Sequence, residues 1–229
     1  EWAVSWQPVG DGAAAAGQTE QHVAILFAET SVVAEHLAVT GAWNVPCGRM
    51  LPDFLALDLF FRRYRPEAAE LQGWNLVFVG RRQRFLCIGT GSHLLLTRNL
   101  PADLSGGQDL QEYVQRLATE VDRSVFFARQ TQLNPVIEKV FVCGETELAD
   151  RLTERLAQEA AIPAERWSLA EHFTGEAIAQ DPDLMLAAAA AVLPGRRPAL
   201  NLAPKLRRNV LSPRLRRRAS GRRRLDDQL

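Results

Sequence analysis

The sequence has few of the residues that form disulfide bonds or hold metal ions. It contains three cysteines, an odd number without a Cys-x-x-Cys motif, so nothing suggests a disulfide framework and a reducing compartment fits. Cys87 and Cys143 lie in apolar, strand-like runs, where buried free thiols are expected, and Cys47 lies apart from them. No two histidines have the spacing of metal ligands, so we predict no metal site; they are His22, His36, His93 and His172.

Long hydrophobic runs are missing as well. The longest spans ten residues, Leu184 to Leu193, whereas a helix that crosses a bilayer needs about 20. Residues 1–9 alternate like a β-strand and lack the apolar core of an export signal. The sequence begins with Glu1 instead of methionine, so we expect it to be part of a longer protein.

Sequence patterns of known catalytic sites are also absent. The sequence has no Gly-x-x-x-x-Gly-Lys-Ser/Thr loop, and no nucleophile–base arrangement or paired-carboxylate site can be argued from it. The acidic residues Glu112, Glu120 and Asp122 fall on an amphipathic segment, where a solvated or hydrogen-bonded helix face is expected. We therefore predict no catalytic residue.

The balanced net charge hides an asymmetry along the chain. The 27 basic and 27 acidic residues cancel, but ten of the basic and only two of the acidic ones lie from Lys205 to the end. The first 204 residues therefore carry 17 basic and 25 acidic side chains, a net charge of −8. The sequence predicts a mildly acidic body followed by a basic tail.

Apolar periodicity predicts two strands and two helices in the first part of the chain. The segment from Trp2 to Trp6 alternates like a strand, and Val23 to Phe27 is its expected partner across a loop at residues 10–21. A first helix is expected to end at Gly41 and a second to begin at Pro52, where proline is well tolerated. The predicted core faces are Val32, Val33, His36, Leu37 and Val39 in the first helix, and Phe54, Leu55, Leu57, Phe60 and Phe61 in the second.

A three-strand meander, followed by helices and one more strand, is predicted for the rest. Strands at 74–79, 84–88 and 94–98 are joined by glycine-containing turns of hairpin length. The order predicts an α/β fold with a mixed sheet rather than a simple βαβ repeat. After the meander we expect a helix at 106–132 with the core face Leu110, Val114, Leu117, Val121 and Val125, a strand at 136–142 ended by Cys143-Gly144, and helices at 147–160, 168–179 and 183–193.

Four stretches carry a family resemblance. They are VAILFAETSVVAEHLAVTGAWN (23–44), residues 75–101 with their Arg-x-hydrophobic-Pro ending, LATEVDRSVFFARQ (117–130) and VFVCGETELADRLTERL (140–156). In this order they resemble the actin-like platform proteins of type IV pili and type II secretion systems, the family of PilM and of the cytoplasmic domain of secretion protein L. The individual motifs are loose, and their order is the specific feature.

The resemblance implies an α/β, actin-like (ribonuclease H-like) ATPase-type fold with two lobes, mixed sheets and degenerate nucleotide motifs. It implies a partial first lobe at residues 1–68, a second lobe at 69–198, an extended segment at 199–204 and a basic tail at 205–229. Because the tail has few apolar residues, we predict that it is disordered when alone.

The family's nucleotide motifs are altered in this sequence. Where the family's phosphate hairpin carries Asp-x-Gly, Phe78 stands two residues before Gly80, and a phenyl ring cannot orient water or Mg²⁺. The resemblance leaves Gly80 and Arg81 as phosphate candidates; the alternative is a tight hairpin with solvated arginines. Gly144 and Glu145 stand at the family's Gly-Gly adenosine turn; the alternative is an ordinary strand-to-helix turn. No cofactor is expected, with ATP and Mg²⁺ left open.

The segment Leu200-Asn201-Leu202-Ala203-Pro204 resembles the Leu-Asn-Leu-x-Pro element that precedes the membrane helix of the pilus partner protein PilN. The resemblance implies a partner or linker peptide in which Leu200 and Leu202 fill pockets. Asn201 would bond main-chain groups, and Pro204 would end the extended piece. Its presence on this chain predicts a domain that binds its own linker; the alternative is an ordinary last strand.

The basic tail allows three interpretations. If a membrane helix follows in the natural protein, the arginines form a positive-inside flank that attracts anionic lipid head groups. A nucleic-acid contact is the second interpretation, but no aromatic residue is interleaved to stack on bases, so none is expected. A solvated tail is the third. The membrane-proximal arginines are Arg214, Arg216, Arg217, Arg218, Arg222, Arg223 and Arg224.

The function implied by the resemblance is that of a scaffold at the cytoplasmic face of the bacterial inner membrane. It would dock bitopic platform proteins of a pilus or secretion system, contact the assembly ATPase and form homo-oligomers, without hydrolysing nucleotide. One alternative is an active actin-fold ATPase or kinase, which needs the missing phosphate-loop Asp. The other is a nucleic-acid-binding module, whose binding would vanish on deletion of residues 205–229 and weaken steeply with salt.

Overall fold

A computed structural model describes residues 2–8, 23–44, 47, 50–91, 93–101, 109–130, 134–159, 162–173, 181–192 and 202. The chain divides into two compact units. The first comprises Glu1–Leu51 with Gly195–Leu229, and the second comprises Pro52–Pro194. The predicted boundary between lobes after residue 68 stays a prediction, and helix α2 (Asp53–Tyr64), which precedes that boundary, belongs to the second unit.

The first unit contains a strand pair and a helix. Strands β1 (Trp2–Pro8) and β2 (Val23–Glu29) are antiparallel over their full length, and helix α1 (Thr30–Ala42) begins directly after β2. The predicted strand pair is confirmed, whereas the predicted loop at 10–21 lies outside the described residues. The residues that α1 and the hairpin bury are Ala3, Ser5, Leu26, Val33 and Leu37.

The predicted core face of α1 is only partly right. Val33 and Leu37 are buried, whereas Val32, His36 and Val39 are exposed. The helix is apolar on more than one side, so its sequence cannot distinguish the face that meets the core from the face that does not.

The second unit is built on a five-stranded mixed sheet in the order β5-β4-β3-β6-β7. Strands β3, β4 and β5 form the predicted antiparallel meander, while β6 runs parallel to β3 and β7 runs parallel to β6. The mixed sheet is therefore confirmed. The strands are β3 (Trp74–Val79), β4 (Arg84–Thr90), β5 (His93–Asn99), β6 (Lys139–Gly144) and β7 (Ala164–Arg166).

Helices cover both faces of this sheet. Helices α3 (Leu110–Arg129) and α4 (Thr146–Glu159) pack with Val77 and Val79 of β3 in one core. Helix α2 and helix α5 (Pro182–Val192) pack with Leu76 and Phe78 in the other. Because β3 is covered on both sides, all six of its residues are buried and its sequence is a continuous apolar run apart from Asn75.

Three sequence predictions in this unit need correction. In the helix expected near 168–179, residues Leu169–His172 form a 3₁₀ turn, and the prediction for 174–180 falls outside the described residues. Strand β6 begins at Lys139, since Val136 is exposed ahead of it. Strand β7 was not predicted, because three residues are too few to show an alternating pattern.

The two thiols in the sheet are buried, as predicted. Cys87 on β4 and Cys143 on β6 are free cysteines with no exposed surface. Burial raises the pKa of Cys143 to about 12 and raises that of Cys87 as well, so neither thiol is reactive at neutral pH.

Among the described residues no helix has both the length and the apolar character needed to span a bilayer.

Helix α2 carries a buried carboxyl group, Asp58. Arg62 Nη2 donates a hydrogen bond to Asp58 Oδ2 at 2.6 Å, and within the described residues Oδ1 has no hydrogen-bond partner. Burial raises the pKa of Asp58 from 3.8 to about 6, although the charges of Arg62 and His93 act to lower it. The ionised carboxylate is therefore disfavoured in the folded protein.

We expect the Asp58→Asn variant to lose part of the pH dependence of stability. A folded-state pKa above the unfolded value adds stability below pH 3.8, and this stability is lost as the pH rises through about 6. The free energy of unfolding of the variant, relative to the natural sequence, should therefore rise by about 2 kcal/mol between pH 4 and pH 7. Urea unfolding at both pH values measures this difference.

Asp53→Asn is the matched control, because Asp53 lies exposed in the first turn of the same helix. Its stability should follow that of the natural sequence at both pH values. Parallel pH profiles for Asp58→Asn and the natural sequence would show that the carboxyl group is not disfavoured by burial.

Candidate functional site at the carboxyl ends of β3 and β6

The structure brings the two predicted nucleotide turns together. Strands β3 and β6 are parallel neighbours, and their register places Val79 opposite Gly144. The Glu145 N–H donates to the Val79 carbonyl at 2.8 Å, which ties the start of one turn to the start of the other. In open α/β sheets, ligands bind outside the carboxyl ends of the strands, so this edge is the candidate site.

The first turn, Gly80–Gln83, is a tight hairpin between β3 and β4. The Gly80 N–H donates to the Gln83 carbonyl at 3.0 Å, and the side chains of Arg81 and Arg82 are exposed. This is the geometry of a tight hairpin with solvated arginines. The assignment of Gly80 and Arg81 to a phosphate stays a prediction.

A carboxylate from α5 lies against this hairpin. The Arg82 N–H donates to Asp183 Oδ2 at 3.1 Å. A Cβ atom placed on Gly80 would lie 2.4 Å from Asp183 Oδ1, so a side chain at Gly80 would collide with the carboxylate. Sequence reasoning missed Asp183, because 101 positions separate it from Arg82.

The second turn, Gly144–Glu145, links β6 to α4. Gly144 has a φ of +124°, and a Cβ atom there would lie 2.3 Å from the Val79 carbonyl oxygen. The Glu145 carbonyl accepts the Ala149 N–H at 2.8 Å and so begins the hydrogen bonds of α4. The fold itself therefore requires glycine at 144, as expected of a strand-to-helix turn.

Arg166 on β7 holds the end of β6 in place. Its guanidinium donates to the carbonyl oxygens of Val142 and Gly144, each at 3.2 Å. It also donates to the Trp167 carbonyl at 2.7 Å and to Asp150 Oδ1 at 2.9 Å. Arg166 was not predicted, because β7 itself gave no sequence signal.

The altered position in the hairpin motif, Phe78, faces the core. Its side chain is fully buried and stacks on Phe85 with ring centroids 5.2 Å apart. A carboxylate two residues before Gly80 would point into this aromatic core and not toward a ligand.

Within the described ranges, no three His, Cys, Asp or Glu side chains converge as metal ligands.

A separate groove between α3 and α4 has little catalytic character. Its lining mixes acidic and basic side chains, and its arginines pair with glutamates of the same helix: Arg151 with Glu147, and Arg155 with Glu159. This is the surface expected of a solvated helix pair.

We place the candidate site at the β3–β6 edge, because the two predicted turns and the buried Oδ1 of Asp183 meet there.

One residue of the predicted peptide segment lies in the described structure. Leu202 is buried, and its backbone N–H donates to the Met50 carbonyl at 3.2 Å within the first unit. The other predicted peptide residues, Leu200, Asn201 and Pro204, lie outside the described residues, as do the seven membrane-proximal arginines.

Comparison with known proteins identifies the fold. No protein-family model matches the sequence, and no curated protein matches it. A solved PilM–PilN type IV pilus biogenesis complex is similar to this chain, with a TM-score of 0.60 over 83% of it. The fold of this chain is the actin-like fold of PilM. The predicted fold class and the PilM-like resemblance are confirmed at the level of fold.

The likeness to PilM is distant in sequence and partial in length. The two are 18% identical, and this chain spans 66% of the matched chain. A second solved structure, T. thermophilus RuvC in complex with a Holliday junction substrate, aligns at 17% identity over 60% of this chain and 96% of that one. Its TM-score of 0.31 is too low to support any inference.

We expect Gly144→Ala to destabilise the PilM-like fold by about 3 kcal/mol or more, because the new Cβ collides with backbone at positive φ. Thermal unfolding of the unliganded protein measures this loss. Glu145→Ala is the control, because it keeps the turn backbone and should change stability by less than about 1 kcal/mol. Equal stability of Gly144→Ala and the natural sequence would show that the turn does not need glycine.

Proposed function

We propose that this chain is the scaffold domain of an inner-membrane assembly platform for type IV pili or type II secretion. The observation that carries the proposal is the PilM-like fold over 83% of the chain. The matched structure is a complex of PilM with PilN, so docking of a bitopic membrane partner is the corresponding role. The domain would lie at the cytoplasmic face of the bacterial inner membrane.

The surface of the first unit supports a docking role. Its strand pair exposes Trp2, Ile25 and Phe27 by 59 to 62%, and the Trp2 and Phe27 rings touch edge to face with centroids 5.6 Å apart. Val39 on its helix and Trp43 directly after the helix are exposed by 50% and 73%. Soluble proteins rarely leave such apolar surfaces uncovered unless they bind another molecule.

The Leu200–Pro204 segment supports a second feature of the proposal. Leu202 is buried against the first unit, as expected if the chain takes up its own linker. We propose that this segment occupies the domain that carries it, and that the basic tail after it contacts anionic lipids beside the membrane. In this proposal the domain also docks the assembly ATPase and associates with further copies of itself.

The geometry of the β3–β6 edge favours a scaffold over a nucleotide-hydrolysing enzyme. Phe78 fills the position at which the resemblance expects a carboxylate, and it is held in the core. The nearby Asp183 carboxylate carries the same sign of charge as a phosphate and adjoins the hairpin. An active ATPase or kinase would require both features to be changed.

We expect Phe27→Ser to weaken binding of the cytoplasmic segment of a PilN-type bitopic protein by about tenfold, because it removes an exposed aromatic anchor. Isothermal titration calorimetry with the purified segment measures the affinity. Phe126→Ser is the matched control, because Phe126 is as exposed but lies in the second unit.

Two results would contradict the proposal. If the natural chain does not bind the segment, the platform function is wrong. If Phe27→Ser and Phe126→Ser both bind as tightly as the natural chain, the partner docks elsewhere than on the outer face of the strand pair.

A further inference from the structure

The Gly80–Gln83 hairpin has the character of an anion site. The hairpin follows β3, whose parallel neighbour β6 ends at the same edge of the sheet. It presents the Arg82 N–H and the side chains of Arg81 and Arg82. Turn N–H groups next to positive side chains bind phosphate or carboxylate oxygens in many proteins. The position therefore suits a phosphoryl anion.

The chain itself supplies an anion at this position. Asp183 Oδ2 accepts the Arg82 N–H at 3.1 Å, and Oδ1 lies directly over Gly80, where it would be 2.4 Å from a Cβ atom. Glycine at 80 leaves room for this carboxylate, and also for the Phe78 ring and the Gln83 carbonyl, which a Cβ atom would approach to 2.6 and 2.9 Å. The fit between the hairpin and Asp183 is thus steric as well as electrostatic.

Helix α5 fixes the carboxylate at the hairpin. Asp181 Oδ1 accepts the Asp183 N–H at 2.9 Å at the start of the helix, and Met185, Leu186 and Ala189 anchor the helix in the core. Asp183 is therefore held from both sides, by the cap before it and by the packing after it.

The contact does not satisfy the carboxylate completely. Asp183 Oδ1 is buried and has no hydrogen-bond partner within the described residues. A buried acceptor without a donor costs free energy, so Asp183 is not held at the hairpin by full hydrogen bonding. An external anion that gained more donors could displace it.

We propose that Asp183 is an internal anion that occupies the phosphoryl position of the Gly80–Gln83 hairpin and thereby keeps external phosphate groups out. The shared ligand chemistry is a phosphoryl anion, either free phosphate or the phosphates of a nucleotide. Removal of the negative charge opens the position, and the two positive arginines then favour an external anion.

The test compares the natural chain with Asp183→Asn, which keeps the shape of the side chain and removes its charge. Calorimetric titrations use inorganic phosphate in one arm and Mg-ATP in the other. We expect the variant to bind phosphate about tenfold or more tightly than the natural chain. The additional substitution Arg81→Ala should remove most of this gain.

The two arms distinguish the source of the anion. A gain with both ligands identifies a general phosphoryl site, and a gain with Mg-ATP alone identifies a nucleotide site; either result supports the internal anion. Equal affinities of the natural chain and Asp183→Asn, or no binding by either, would overturn it.

Two further variants control for changes in folding. Asp181→Asn removes a nearby negative charge but keeps the Oδ1 that accepts the Asp183 N–H, so Asp183 should stay at the hairpin and no phosphate binding should be gained. Asp183→Ser supplies a second uncharged side chain for the same titrations if Asp183→Asn does not fold. Neither result bears on partner docking, so the platform function and the internal anion fail or stand separately.

Discussion

The parallel pairing of β3 with β6 is the constraint on which the second unit depends. It sets Val79 opposite Gly144 and so starts two turns at one edge of the sheet. It also directs alternate side chains of β3 into two different cores, with Val77 on one side and Phe78 on the other. A slip of one residue would exchange these faces and separate the turns. The candidate site is a consequence of this register.

Much of the fold could be predicted from the sequence, because buried periodic patterns are local. The meander and the core face of α3 show this, since Val114, Leu117, Val121 and Val125 repeat with the helix and are buried. The 3₁₀ turn at Leu169–His172 was mistaken for a helix. His172 of this turn packs on Phe60 and Tyr64 of α2, a contact between distant positions that no local sequence pattern shows.

The candidate site was less predictable, because its polar contacts join distant parts of the chain. Gly80 and Gly144 could be chosen from the sequence, since turns after apolar runs are visible there. Arg166 and Asp183 could not be chosen, because each acts on a turn that lies far away in the sequence. Helix α1 shows a related limit: an apolar helix can bury one side and offer the other to a partner, and periodicity alone does not separate the two roles.

The backbone of Gly144 has a consequence for the interpretation of glycine motifs in such domains. Its positive φ and its close approach to the Val79 carbonyl make any other residue at this position strained. Strand pairing alone therefore explains the glycine at this position, whether or not the edge binds a ligand. A glycine in such a turn is therefore not in itself evidence of nucleotide binding. Residues whose identity the backbone does not fix are more informative about a ligand.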